Sequence, residues 1–138
     1  MKRLMTMVLM LALMGCTQGN VLTLADGDCF DDPSGEETQV TDVPIVDCAD
    51  PHDNEVYKIV EITGDVYPGS EAIGSRADDE CVLAFDAWVG EPYETSELDF
   101  GWLTPTSESW DAGDREIVCF VYRVDLAKMT GTMEGSGI

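Results

Sequence analysis

Arg115-Glu116-Ile117-Val118-Cys119-Phe120-Val121-Tyr122-Arg123-Val124-Asp125 is the stretch on which the fold turns. Ile117, Cys119 and Val121 fall on one face of an extended chain, and Val118, Phe120 and Tyr122 on the other. β-Branched and aromatic residues on both faces mark a strong strand. Upstream, Glu55-Val56-Tyr57-Lys58-Ile59-Val60-Glu61-Ile62 has the same character and reads as the central strand. Leu98 to Leu103 reads as a further strand. Val40 to Val46 is β-rich but broken by Pro44, which suits an edge or bulged strand.

Between these strands the period changes. Ile73, Ala77, Cys81, Ala84 or Phe85, and Trp88 recur at three to four residues, which predicts an amphipathic helix from Glu71 to Val89. Ser70 is its expected cap, and Gly90-Glu91-Pro92 its stop. A short helix is expected after Thr104, with Thr104 as cap, Pro105 at the first position and Gly113 at the end. The Gly-rich tail from Thr130 to Ile138 reads as loosely ordered. Strands split by one main helix give an α+β domain, a small and mainly antiparallel sheet with one main and one short helix.

The chain start carries a different message. Lys2 and Arg3 precede an apolar run from Leu4 to Leu13, which closes on Leu13-Met14-Gly15-Cys16. A basic start, a short apolar core and a small residue before the cut are the parts of an export signal. Gly15 directly before Cys16 resembles the lipobox of bacterial lipoproteins, in which the cysteine takes the lipid. The expected organisation is a signal peptide over residues 1–15, lipidated Cys16 with a short tether over 16–25, and one acidic extracytoplasmic domain over 26–138. Stable anchoring needs more than one acyl chain, at about 0.8 kcal/mol per buried CH2.

Four further cysteines, Cys29, Cys48, Cys81 and Cys119, imply two disulfides in an exported chain. Three pairings are possible. Cys29–Cys48 would close the acidic N-terminal loop and Cys81–Cys119 would pin the helix to the late strand, and these are the pairs we expect. The chain has 28 acids and 7 bases, and loss of Lys2 and Arg3 with the signal leaves a charge of about −23. That excludes nucleic acid, whose phosphates need basic partners. It also leaves the lipid anchor as the means of holding the membrane.

Chemistry-bearing residues are few. His52 is the sole histidine and sits among Asp47, Asp50, Asp53 and Glu55. These offer a metal-ligand or acid–base set, or an ordinary turn. Asp28, Asp31 and Asp32 offer oxygen ligands for Ca2+, but their spacing is not that of an EF-hand loop. Arg115 is expected to pair with Asp114 or with an acid near His52. Trp88 and Trp110 are expected in the core. No nucleophile elbow or phosphate-binding glycine loop is present, so no catalytic residue, no cofactor and no enzymatic activity are expected.

The landmarks have an informative order. Gly27-Asp28-Cys29-Phe30 is followed by Cys48, Pro51-His52 and Glu55-Val56-Tyr57. Tyr67-Pro68-Gly69 leads into a helix with Cys81, and Trp110-x-x-Gly113-Asp114-Arg115-x-x-x-Cys119 closes the pattern. This order resembles the septum-formation domain family of actinobacterial lipoproteins and membrane-anchored proteins. The resemblance implies an extracytoplasmic domain linked to envelope or division processes, with no reaction or ligand attached to it. Gly27, Pro51, His52, Glu55, Trp110, Gly113, Asp114 and Arg115 match the pattern. The chain departs from it in its surplus of acids and in Thr132, where serine is expected.

Three functions compete. The first is a lipid-anchored, non-enzymatic module of the cell envelope that binds a protein or wall component. The second is a Ca2+-dependent binding module centred on Asp28 to Asp32 or on Asp50 to Glu55. The third is a hydrolase using His52 with a nearby carboxylate. The sequence does not set the oligomeric state.

Overall fold

The computed structural model describes residues 18–20, as backbone, together with 23–33 and 42–138. The signal segment 1–15, Cys16 and residues 17, 21 and 22 of the tether lie outside the described residues. Among the described residues the strands and α-helices follow in order: β1 (Gln18–Asn20), β2 (Cys29–Phe30), β3 (Asp42–Val46), β4 (Asn54–Glu61), α1 (Ser70–Val89), β5 (Leu98–Leu103), α2 (Ser107–Asp111) and β6 (Glu116–Arg123), with a 3-10 turn at Tyr93–Thr95. The strands form one antiparallel sheet in the order β1-β3-β2-β4-β6-β5. The fold is α+β, with one long helix, one short helix and two disulfides, as the sequence leads one to expect.

The two strongest strands lie side by side. β4 and β6 pair from Glu55↔Val121 to Glu61↔Glu116, with a bulge at Tyr57. A bulge inserts one residue and so resets which face the following side chains meet. Its effect is visible in the packing. Val56 and Ile59 join a cluster with Leu24, Phe30, Val43 and Val118 on one face. Tyr57, Val60 and Ile62 join Ile117, Cys119, Val121 and the helix on the other. A single strand thereby feeds two apolar clusters.

α1 buries Ile73, Ala77, Cys81, Phe85 and Val89, a strict four-residue row. Full burial of a side chain such as Phe85 contributes about 1.5–3 kcal/mol relative to exposure. Trp88 is only half-buried and lies 5.6 Å from the Tyr57 ring, whereas Trp110 is wholly in the core. The Tyr57 hydroxyl donates to the Cys81 carbonyl at 2.8 Å, and burial pushes its pKa up. The Cys81–Cys119 disulfide then ties α1 to β6, with 5.6 Å between the Cα atoms.

Three expectations are corrected. Ser70 does not cap α1. It is the first helical residue, and the cap is Gly69 at φ 96° and ψ 149°, a conformation open to glycine and strained for serine. The short helix begins later than Thr104-Pro105 suggests. Thr106 Oγ1 accepts from the Ser109 amide at 3.1 Å while Ser109 Oγ accepts from the Thr106 amide at 2.9 Å, and this capping box fixes the start at Ser107.

The tail is not loose. Met129 is buried, Gly131 N donates to the Cys48 carbonyl at 2.6 Å, and Gly135 N and Gly137 N donate to Trp88 and Val89 carbonyls. The glycines that suggest looseness lie in a strap running from the start of β4 to the end of α1.

Candidate functional site

The site is assembled at one end of the sheet. β2 and β4 run antiparallel with Cys29 directly opposite Glu55. Just before β4 the chain turns, with Asp50 N donating to the Asp47 carbonyl at 2.8 Å and Ala49 N to Asp47 Oδ1 at 2.9 Å. This turn delivers His52 to an isolated bridge with Met129. His52 N donates to the Met129 carbonyl at 3.0 Å and Met129 N to the His52 carbonyl at 2.8 Å. A turn, two strands and the C-terminal strap therefore converge on one point.

At that point Cys29, His52 and Glu55 each bring one ligand-capable atom within 4.8 Å of the others, and all three residues are buried. His52 is 0% exposed and Glu55 1%. His52 Nδ1 lies 2.8 Å from the Asp50 carbonyl, which can only accept, so Nδ1 carries the proton. In the neutral imidazole Nε2 then presents a bare lone pair. It is a buried side-chain atom with no hydrogen-bond partner. Both carboxylate oxygens of Glu55 are engaged: Oε1 accepts from Thr132 Oγ1 at 2.5 Å and Oε2 from the Met133 amide at 2.7 Å.

This buried gathering overturns the expectation that the protein is not an enzyme. An imidazole with a free lone pair beside an oriented carboxylate is a constellation able to bind a metal ion or to move a proton. Cys29 is joined to Cys48 with S–S 2.03 Å. In that oxidised state the groups free for chemistry are His52 and Glu55.

The other candidates are dispersed. Asp28 Oδ2 accepts from the Ala25 amide at 2.9 Å, and Asp32 Oδ1 from Asn54 Nδ2 at 2.8 Å. Asp31 Oδ1 takes Lys128 Nζ at 2.6 Å, and the same ammonium reaches Asp53 Oδ1 at 2.9 Å. Burial works to raise the Asp53 carboxyl, but the Lys128 bond and the Asp32 amide hold it below its ordinary value. A lysine thus occupies the place between acids that a Ca2+ ion would need. Asp32, Asp53, Phe120, Tyr122 and Arg123 also line a broad groove of about 310 Å3. His52 is not among the residues that line it.

Arg115 lies at the opposite end of the sheet, where Ile62 N donates to its carbonyl. Seven strand residues separate this point from Glu55, roughly 20 Å. Its partners are not the expected carboxylates. Nη1 donates to the Trp110 and Asp114 carbonyls at 2.6 and 2.7 Å, Nε to the Gly64 carbonyl at 3.3 Å, and the guanidinium lies 3.8 Å from the Trp110 ring centroid. Asp114 instead accepts from Ser109 Oγ and the Glu116 amide. These residues fix a turn and hold Trp110. Sequence reasoning missed Thr132, Met133 and Lys128, which act across 77 to 97 residues without any local motif to announce them.

No curated protein and no solved structure gives a match to this chain. One family, described as septum formation, matches it over residues 15–119.

Proposed function

We propose a function from one premise: this chain belongs to the septum formation family. On that premise it is an envelope-associated module working outside the cytoplasm, tied to the bacterial membrane by lipid on Cys16. The Gly15-Cys16 pair supports the tether, and the family match opens at the same point. The finer likeness is to actinobacterial lipoproteins, and the partner is an envelope protein or wall component.

The working centre of the module is a divalent-cation site on His52 and Glu55, within the Asp50 to Glu55 segment. The observation that carries this reading is the buried, unpartnered Nε2 of His52. An unsatisfied buried acceptor costs about 1–3 kcal/mol, which a bound cation would offset. The flanking bonds support the same role. Metal-binding histidines are oriented through their other ring nitrogen, and ligating carboxylates by further hydrogen bonds. The Asp50 carbonyl does the first here, and Thr132 with Met133 does the second. Imidazole suits zinc-like ions better than Ca2+, which prefers six to eight oxygens.

Titration calorimetry of the full chain with Zn2+ and Ca2+ tests this. Zn2+ should bind more tightly than Ca2+, and His52→Ala should weaken Zn2+ binding at least about tenfold. Zn2+ binding unchanged by His52→Ala would sink the reading. Alkyne fatty-acid labelling that Cys16→Ala abolishes tests the tether.

A further inference from the structure

We propose that reduction of the Cys29–Cys48 disulfide turns the His52–Glu55 centre into a four-donor zinc site. Its ligands are Cys29 Sγ, Cys48 Sγ, His52 Nε2 and one Glu55 carboxylate oxygen. This rests on the cation reading above, and it names the ion and the switch that admits it.

Three of the four donors are already together. Cys29, His52 and Glu55 offer atoms within 4.8 Å of one another, and Cys48 Sγ is bonded to Cys29 Sγ. Zinc takes sulfur at about 2.3 Å and nitrogen or oxygen at about 2.0–2.2 Å in a tetrahedron, so neighbouring donors sit roughly 3.3–3.8 Å apart. Cys29, His52 and Glu55 need to close by about 1 Å, while Cys48 Sγ, freed from its 2.03 Å bond, must swing out to about 3.8 Å from Cys29 Sγ. Each donor is held by backbone: Cys29 by its register with Glu55, Cys48 by Gly131 N, and His52 by Met129. Each Glu55 oxygen spends one lone pair on the strap and keeps another for a metal. The unpartnered Nε2 is the independent sign that a ligand belongs here.

The disulfide is what withholds the site. A sulfur in a disulfide carries no charge, and the thiolate is the metal-ligating form of cysteine. The two disulfides also differ in access. Cys81 and Cys119 are both 0% exposed, whereas Cys48 is half-buried. A dithiol reductant attacks Cys48 Sγ, and Cys29 Sγ departs as a thiolate into the cluster. The reductant's second thiol resolves the mixed disulfide. The reductant ends as a disulfide, its two electrons and two protons having made two thiols of Cys29 and Cys48. Zn2+ then displaces those two protons. Two thiolates, one carboxylate and Zn2+ sum to the same single negative charge as the oxidised site, so the core takes the ion without gaining net charge. Among the described residues no second group of this kind exists, and Cys81–Cys119 is a plain staple.

The experiment is metal binding by the detergent-solubilised full chain, oxidised and after phosphine reduction under argon. Alkylation mapping confirms which cysteines are free. Zn2+ is read by competition with a chromophoric chelator, and Co2+ by its thiolate charge-transfer and tetrahedral bands. Reduction should tighten Zn2+ at least about a hundredfold. Cys48→Ser, His52→Ala and Glu55→Gln should each weaken the reduced-state site at least about tenfold and alter the Co2+ spectrum. Near-UV dichroism establishes that each variant is folded. Equal, His52-dependent binding in both redox states overturns the switch and leaves the cation reading standing. Reduced-state binding that His52→Ala and Glu55→Gln leave unchanged overturns the four-donor site. Absence of His52-dependent binding in either state overturns both.

Discussion

The carboxylate of Glu55 holds the backbone amide of Met133 at 2.7 Å across 78 residues of chain. With Thr132 Oγ1 on its other oxygen, one side chain at the start of β4 holds the middle of the C-terminal strap, which main-chain bonds to His52, Cys48, Trp88 and Val89 also fasten. Hydrogen bonds to an ionised group are worth about 1.5–3 kcal/mol each, and the carboxylate that accepts both of these is itself buried.

Glu55→Ala should therefore destabilise the fold by about 3–5 kcal/mol. Thr132→Val should cost about 1–3 kcal/mol, and Thr132→Ser, which keeps the hydroxyl, well under 1 kcal/mol. Urea denaturation gives the energies. Hydrogen exchange at the Met133 amide separates release of the strap from global unfolding. Unchanged protection in Glu55→Ala would mean that the strap is held by something else.

Lys128 gives a pH signature. Its hydrogen bonds to Asp31 and Asp53 raise its pKa above 10.5, so its contribution is present below that value and fades as pH rises past the raised one. Asp53 is held below 3.8 despite its burial, so its contribution is present above 3.8 and is lost as pH falls through the lowered value. Between those limits the pair should add about 0.5–1 kcal/mol, the range for well-formed surface pairs. Lys128→Met should be less stable than the parent at neutral pH, and the gap should close below about pH 4. Denaturant midpoints measured over an acid series check it. A gap independent of pH would assign the loss to packing.

Arg115→Lys is not a conservative change here. A planar guanidinium lies over Trp110 while donating to three carbonyls, and an ammonium cannot reproduce that fork. The expected loss is about 1–2 kcal/mol, with a shift in Trp110 fluorescence. Trp110→Phe should cost a similar amount, and the double variant should fall short of the sum because the two residues share one interaction.

Gly101 on β5 faces Phe120 on β6. A Cβ there would stand 2.6 Å from Phe120 Cζ, so the ring would have to move. Gly101→Ala should cost about 1–3 kcal/mol as an overpacked contact. Phe120 also packs edge-on against Phe30 at 5.4 Å and walls the groove. Phe120→Leu in the Gly101→Ala background should recover part of the loss in thermal unfolding.

The parts of this fold readable in the sequence are those written as periods. Ile117, Cys119 and Val121 alternate with Val118 and Phe120, and the structure divides them between its two clusters accordingly. The row from Ile73 to Val89 makes α1 legible, and with it the Cys81–Cys119 pairing. Helix ends were not legible to the residue. Ser70 and Thr104 have the chemistry of caps, but backbone conformation at Gly69 and a reciprocal bond at Thr106 decide.

The site was legible only as its parts. His52 and Glu55 stand out because histidine is scarce and acids crowd it, yet nothing local says that Cys29 lies across a ladder from Glu55. Glycines in the tail suggested freedom, when each instead allows a turn of a bonded segment. Arg115 looked like an ion-pair partner because the chain is so acidic, but three carbonyls and an indole ring satisfied it first.

The strap carries a last consequence for how the molecule comes into being. The donors that Glu55 needs lie 77 and 78 residues further along the chain, so they are made long after the carboxylate they satisfy. A chain interrupted between Arg123 and Thr132 has the strands and helices described above but leaves that carboxylate without its two donors. Translation past Met133 is thereby written into stability, and a copy cut short of it should be more open to proteolysis than the parent.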